Sequence, residues 1–282
     1  MKIVFSRRCL EYYESWHPES PVRVREAYNF LKEKGYEFIE PMHASYKDLL
    51  RAHTSAYIDR VRTGDFHDPD SPPIENIYDY ASLSAGSAIL AARANGFSLM
   101  RPPGHHAGRS GRALGASSLG FCYFNNLAIA VRSVGKRSLI LDIDGHHGNG
   151  TQEIFLRDEK VTYVSLHRSP HYPRTGLRSE ANCLNFPLRW NTGDELYLKT
   201  LEKALTQTDM KQVEVIAISA GFDAHENDPM ASLALSTECY RKIGRKIGSL
   251  NLPIFATLEG GYNPKDLGRN IDEFLQGLEE NH

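Results

Sequence analysis

Two carboxylates and two imidazoles follow the apolar residues Ile140 and Leu141 within a short stretch of chain. Side chains alternate between the two faces of an extended segment, so Asp142, Asp144 and His146 point to the same side. Two carboxylates and an imidazole that converge at the end of a strand can hold a divalent metal ion. The alternative is a turn whose Asp and His side chains are simply solvated.

Polar segments of this kind follow three other apolar runs, at Arg101–His106, Ala220–His225 and Glu259–Tyr262. Each segment taken alone could be an ordinary exit from a strand. In open α/β sheets, however, ligands bind beyond the carboxyl ends of the strands. Four such segments at one rim of a sheet therefore predict a shared active site.

The elements that must position these residues alternate between strand-like and helix-like patterns. Short apolar runs without clean alternation are typical of strands buried on both faces of a parallel sheet. These runs are Lys2–Ser6, Phe97–Met100, Ser138–Asp142, Val161–His167, Val213–Ser219 and Pro253–Leu258. Helices are predicted over Arg23–Lys34, Ala81–Asn95, Asn125–Val134, Asp194–Thr206, Thr237–Leu250 and Asp266–Leu278. The alternation predicts a three-layer α/β/α fold with a mostly parallel central sheet, and the proline-rich stretch 65–73 is expected to be a surface loop.

Composition limits the classes of function. The 282 residues suit one large domain, 1–282, and the net charge of −2 without a basic stripe argues against nucleic acid or an anionic membrane as a direct partner. The apolar run at the start of the sequence is too short for a signal peptide. No later segment approaches the run of about 18 apolar residues that a membrane-spanning helix needs. Four scattered cysteines favour reduced thiols in a cytoplasmic protein, with a nucleophilic role for Cys122 as a minor alternative.

The polar segments also resemble the motifs of a known family. RPPGHHA, DIDGHHGNGTQ, VSLH, GFDAHENDP and LEGGYN are similar to motifs of the histone deacetylase family, and the resemblance runs from HPESPVR to the final helix. It points to a compact, class II-like protein of bacterial or archaeal type. The resemblance implies the arginase/deacetylase fold, with a sheet of about eight strands. It also implies a zinc ion and hydrolysis of an N-acyl amine.

Carried over by this resemblance, the zinc ligands would be Asp144, His146 and Asp223. Three protein ligands leave positions open for water and for the scissile carbonyl, although this donor set would also accept Fe²⁺ or Co²⁺. Asp223 could instead be the N-cap of a helix. A structural K⁺ would be held by Asp142, Ser165 and Leu166.

The resemblance also implies the catalytic roles. His106 would be the general base and acid, and His105 would stay protonated beside its orienting partner Asp142. Asn149 occupies a position that is often Asp in class I relatives, which predicts a lower pKa for His106 than an aspartate would give. Tyr262 would donate a hydrogen bond to the oxyanion, with a packed tyrosine as the alternative.

The resemblance also implies which residues form the substrate pocket. Gly120, Phe121 and Tyr172 would form a narrow aromatic slot around the acyl-lysine chain, and Asp70 would bind substrate amides. Met230 occupies the place of an acidic gatekeeper in a polyamine-specific relative, which weakens acetylpolyamine as a substrate.

The leading hypothesis is thus a zinc-dependent deacetylase that acts on acetyl-lysine in proteins or peptides. An acetylpolyamine or other small-molecule amidohydrolase is the alternative, and a non-catalytic acetyl-lysine binder or a dinuclear ureohydrolase is less favoured. The protein is expected to act as a monomer or a simple homo-oligomer.

Overall fold

An eight-stranded parallel sheet forms the centre of the computed structural model, which describes residues 1–230 and 233–280. The strands in chain order are β1 (Ile3–Val4), β2 (Phe38–Ile39), β3 (Phe97–Ser98), β4 (Ala107–Gly108), β5 (Gly111–Arg112), β6 (Ser138–Asp142), β7 (Val161–Arg168), β8 (Cys183–Leu188), β9 (Val215–Ala220) and β10 (Ile254–Leu258). Strands β4 and β5 form a separate antiparallel hairpin. The main sheet has the order β2-β1-β3-β10-β9-β6-β7-β8.

Helices cover both faces of this sheet. They are α1 (Pro21–Glu33), α2 (Tyr46–Leu49), α3 (Ser55–Thr63), α4 (Ile77–Ala94), α5 (Asn126–Val134), α6 (Asn149–Phe155), α7 (Asp194–Gln207), α8 (Thr237–Gly248) and α9 (Pro264–Glu279). A hydrophobic core lies on each face of the sheet. Alternate residues of β6 belong to different cores, because successive side chains of a strand point to opposite faces. Leu139 and Leu141 pack with α1, α7, α8 and α9, whereas Ile140 packs with α3, α4 and α5. The predicted three-layer fold is therefore confirmed.

The six strands and six helices expected from the sequence are present, with ends shifted by a few residues. The loop at 65–73 contains no helix or strand, as expected. Strands β2, β4, β5 and β8 and helices α2, α3 and α6 were not predicted. The two residues of β2 are too few to give a pattern, and β8 contains Asn185 and Pro187, which an edge strand tolerates. Among the described residues, no helix is long and apolar enough to cross a bilayer.

The strand order brings the polar segments together. Strand β9 lies between β6 and β10, and Asp142 at the end of β6 pairs in register with Ser219 of β9 and Ser165 of β7. Strand β3, which precedes the His105–His106 turn, pairs with β10. Because all these strands are parallel, the four polar segments leave the sheet at the same rim.

Candidate active site

Asp144, His146 and Asp223 converge at this rim, from the segments after β6 and β9. One potential ligand atom from each lies within 4.8 Å of the others, and all three residues are buried. Nδ1 of His146 is 3.2 Å from Oδ1 of Asp144 and 2.7 Å from Oδ2 of Asp223. The backbone N–H of Gly260 donates to Asp144 at 2.8 Å, and that of Gly145 donates to Asp223 at 2.7 Å. Backbone donors thus orient both carboxylates toward the imidazole.

The surroundings of this group fit a divalent cation. A Cβ on Gly221 would lie 2.0 Å from Asp144 Oδ2, and one on Gly260 would lie 2.6 Å from oxygens of both Asp144 and Asp223, so only glycine allows the backbone this close. Burial and the neighbouring Asp144 raise the pKa of Asp223 to about 7. Burial opposes a charge on His146, but the two carboxylates raise its pKa to about 10. Two carboxylates this close to one imidazole favour a positive charge at this point, which a divalent cation can supply.

Asp223 does not cap a helix, so that alternative is wrong. Helix α8 begins at Thr237, and the side chain of Ser236 caps it. His147 and His225 lie outside the three-ligand group formed by Asp144, His146 and Asp223. His147 contacts Thr175 and Gln152 at 2.7 and 2.8 Å.

The adjacent histidines His105 and His106 have different hydrogen-bond partners. Nδ1 of His105 lies 3.0 Å from Oδ2 of Asp142, and Nδ1 of His106 lies 2.8 Å from Oδ1 of Asn149. Because the amide nitrogen of Asn149 donates to the carbonyl of Ala113 at 2.9 Å, its oxygen is the atom that faces His106. Nδ1 of His106 therefore carries the proton, which leaves Nε2 as the basic nitrogen.

These partners also separate the charges of the two rings, whose centroids are 4.0 Å apart. Burial opposes a charge on His105, but Asp142 and Asp144 overcome it and raise its pKa to about 10. Burial and the positive charges of His105 and His146 lower the pKa of His106 well below its usual range. At neutral pH the pair thus consists of a cation beside a neutral base.

A pocket of about 250 Å³ joins His106 and His146 to the surface. His106, His146 and Tyr262 line this pocket, together with His171, which was not predicted from the sequence. All the predicted substrate residues line it as well: Asp70, Gly120, Phe121, Tyr172 and Met230. The ring of Phe121 lies perpendicular to that of Tyr262 at 5.6 Å, and Tyr172 lies perpendicular to His106 at 5.0 Å.

Gly120 allows this pocket to form. Its φ of +50° is in the left-handed region, and a Cβ there would lie 2.5 Å from Cδ2 of His106. A larger residue would displace the imidazole. The carboxylate of Asp70 accepts a hydrogen bond from Ser118 Oγ, and the phenol of Tyr172 donates to the carbonyl of Ser118 at 2.9 Å. Ser118 thus connects two walls of the pocket.

Two further residues contact the pocket wall. His171 stacks on His146 with centroids 5.0 Å apart, and its Nε2–H donates to the carbonyl of Met230 at 3.0 Å. One oxygen of Asp228 accepts from the N–H of Tyr262 at 2.6 Å, and the other accepts from the N–H of Met230 at 2.9 Å. Neither residue was assigned a role, because the contacts of His171 with Met230 and of Asp228 with Tyr262 join segments that are distant along the chain.

The three residues expected to hold K⁺ lie together at the ends of β6 and β7. Ser165 Oγ is 2.9 Å from Nδ1 of His167, whose Nε2–H donates to the carbonyl of Gly176 at 3.1 Å. Nδ1 of His167 must therefore accept the hydroxyl proton, which leaves the oxygen lone pairs of Ser165 for a cation. Asp142 offers a buried carboxylate beside it, and Leu166 can offer only its backbone carbonyl.

Comparison with known proteins agrees with this geometry. The family model described as histone deacetylase domain matches residues 17–278. A probable deacetylase of Archaeoglobus fulgidus is 37% identical, with 93% of this chain and 81% of the relative covered. The crystal structure of the HDA15 HD domain superposes with a TM-score of 0.88 at 31% identity, covering 98% of this chain and 88% of that one. An acetylpolyamine aminohydrolase from Burkholderia pseudomallei gives 0.90 at 25% identity, with 99% of both chains covered. The chain therefore belongs to the histone deacetylase family and is a deacetylase or amidohydrolase enzyme with the arginase/deacetylase fold.

Proposed function

We propose that this enzyme hydrolyses the acyl amide of acetyl-lysine in peptides or proteins, with Zn²⁺ held by Asp144, His146 and Asp223. The observation that carries the proposal is that the neutral base His106 lines one pocket with His146, a member of the three-ligand group. When bound, the metal would polarise the scissile carbonyl and lower the pKa of the attacking water.

The chain's own residues manage the protons. Nε2 of His106 takes the proton of the attacking water and later delivers a proton to the departing amine. Asn149 keeps the ring in the required tautomer by accepting from Nδ1–H at 2.8 Å. His105 contributes its positive charge and remains bound to Asp142 throughout.

Tyr262 stabilises the negative charge that develops on the substrate oxygen. It lines the same pocket as His106 and His146. Burial is the main cause of a pKa far above the usual range, so its phenol keeps its proton and can donate it in a hydrogen bond. The N–H bond to Asp228 fixes its backbone.

The pocket lining favours a lysine chain over a polyamine. Phe121 and Tyr172 offer aromatic surface to methylene groups, and Met230 adds an apolar side chain. Among the described residues, Asp70 is the one that brings a carboxylate to the pocket lining, and this carboxylate already accepts a hydrogen bond from Ser118. An acetylpolyamine is the second candidate, because Asp70 could attract a distal ammonium. We further propose that Asp142, Ser165 and Leu166 bind a structural K⁺.

The decisive experiment measures acetate release from a panel of acetyl-lysine peptides and acetylpolyamines. We expect higher kcat/KM on the peptides and loss of activity in a chelator, which added Zn²⁺ restores. Metal analysis should give about one zinc per chain. Two manganese ions per chain without amide hydrolysis would contradict the proposal, and preference for acetylpolyamines would select the second candidate.

A further inference from the structure

We infer that Glu259 is a positioning residue that fixes the His105–His106 turn through hydrogen bonds to its backbone. This inference rests on the proposed role of His106. Glu259 follows the last residue of β10 and is fully buried, with an exposure of 0%. In the sequence it begins the polar segment Glu259–Tyr262, and no local pattern there predicts a role for it.

One oxygen of this carboxylate binds the turn directly. Oε2 accepts from the N–H of Gly104 at 2.7 Å and from the N–H of His105 at 3.1 Å. The preceding residues Pro102 and Pro103 have no N–H, so these are the first backbone donors of the turn. Without Glu259, both donors would be buried and unpaired, which is unfavourable.

The other side of the turn is fixed by α6. The carbonyl of His105 accepts from the N–H of Thr151 at 3.0 Å, and Asn149 of the same helix holds the ring of His106. The turn thus lies between Glu259 on one side and α6 on the other. Loss of either support would let the two imidazoles shift relative to the three-ligand group.

The carboxylate is itself held on its second oxygen. Oε1 accepts from Ser219 Oγ and from Thr257 Oγ1, each at 3.3 Å. Arg23 donates to the backbone carbonyl of Glu259 at 2.5 Å. The side chain is therefore held in a fixed position, and its reach to the turn depends on its length.

The length of the Glu259 side chain and its charge can be varied separately by substitution. Burial raises the pKa of Glu259 to about 7, against the opposing effect of His105. An uncharged side-chain oxygen at the same place could still accept both backbone bonds. Glutamine has that oxygen at the same distance, and its amide group could donate to the hydroxyl oxygens of Ser219 and Thr257. Aspartate keeps the charge but is one methylene shorter.

The test compares Glu259→Gln with Glu259→Asp on an acetyl-lysine peptide. We expect Glu259→Gln to keep kcat within about threefold of the wild type, because both bonds to the turn persist. For Glu259→Asp we expect kcat to fall by at least about tenfold at nearly unchanged KM and metal content, since the imidazoles shift while the pocket remains. Glu259→Ala should behave like the aspartate variant if it folds.

A matched control is Asp272→Asn, which alters a buried carboxylate that accepts from Tyr36 at 2.8 Å, remote from the pocket. It should lower the unfolding temperature without changing kcat. If Glu259→Asp turns over as fast as Glu259→Gln or faster, the inference is overturned. A wild-type protein that hydrolyses no acyl amide would instead refute the proposed function, so the two failures are distinguishable.

Discussion

Asn149 determines which nitrogen of His106 is basic, and its lack of charge affects the pKa of that imidazole. In Asn149→Asp, a carboxylate would stabilise the imidazolium and raise the pKa of His106 by about one unit. A general base is active above its pKa, so the acidic limb of the kcat/KM profile should move to higher pH in the variant. Profiles measured on one peptide with equal metal loading check this. An acidic limb that stays in place would contradict the assigned base.

Tyr262 differs from the other pocket aromatics because its hydroxyl, and not its ring, is the proposed active group. Tyr262→Phe should retain the metal and lose about 10²–10³ in kcat, the usual cost of one oxyanion donor. Turnover and metal content are measured on the same sample. Tyr36→Phe removes a phenol that donates to Asp272 far from the pocket and should leave kcat unchanged. Near-normal turnover of Tyr262→Phe would make it a packing residue.

At the scale of elements, His53 joins three parts of the chain around the site. His53 lies shortly after α2 in the chain. Its ring accepts a hydrogen bond from the N–H of Asn125, which precedes α5, at 2.8 Å, and donates one to the carbonyl of Gly108 in β4 at 3.0 Å. A protonated ring could not accept from Asn125. Burial is the main cause that lowers its pKa to about 4.

This gives a defined pH dependence of stability. In the unfolded chain His53 binds a proton near its usual pKa of about 6.5, whereas the folded state resists protonation until about pH 4. The contribution of His53 to the free energy of unfolding is therefore complete only well above pH 6.5, and about 2 kcal/mol of it is lost as the pH falls from about 7.5 to about 5. Denaturant unfolding at both pH values should show that His53→Gln is less stable overall but loses less on acidification. If both proteins lose the same stability on acidification, His53 is not the cause of the pH dependence.

At the scale of the whole molecule, metal binding and folding should be coupled. The three proposed ligands come from segments after β6 and β9, so they converge only in the folded chain. A metal that binds only this state stabilises it by about 4 kcal/mol at a thousandfold excess over Kd. Thermal unfolding with Zn²⁺ and with a chelator measures the effect, and Asp223→Ala should abolish most of it. An equal shift in that variant would place the stabilising metal elsewhere.

The sequence by itself determined the main elements of the fold and the residue types at the rim. Apolar runs such as Ser138–Asp142 are local patterns, and a parallel sheet requires that the polar segments after them leave at one edge. The family motifs named the candidate ligands, the histidine pair and Tyr262. These features could be predicted because they depend on neighbouring residues or on motif order.

Only the tertiary structure decided which groups surround those residues. The short strand β2, the contact of His171 with Met230, and the bonds of Glu259 to the His105–His106 turn each join segments that are distant along the chain. The protonated nitrogen of His106 likewise depends on the amide of Asn149 and on the carbonyl of Ala113. Such contacts are set by packing between elements, and no local pattern in the sequence encodes which distant donor will meet a buried acceptor.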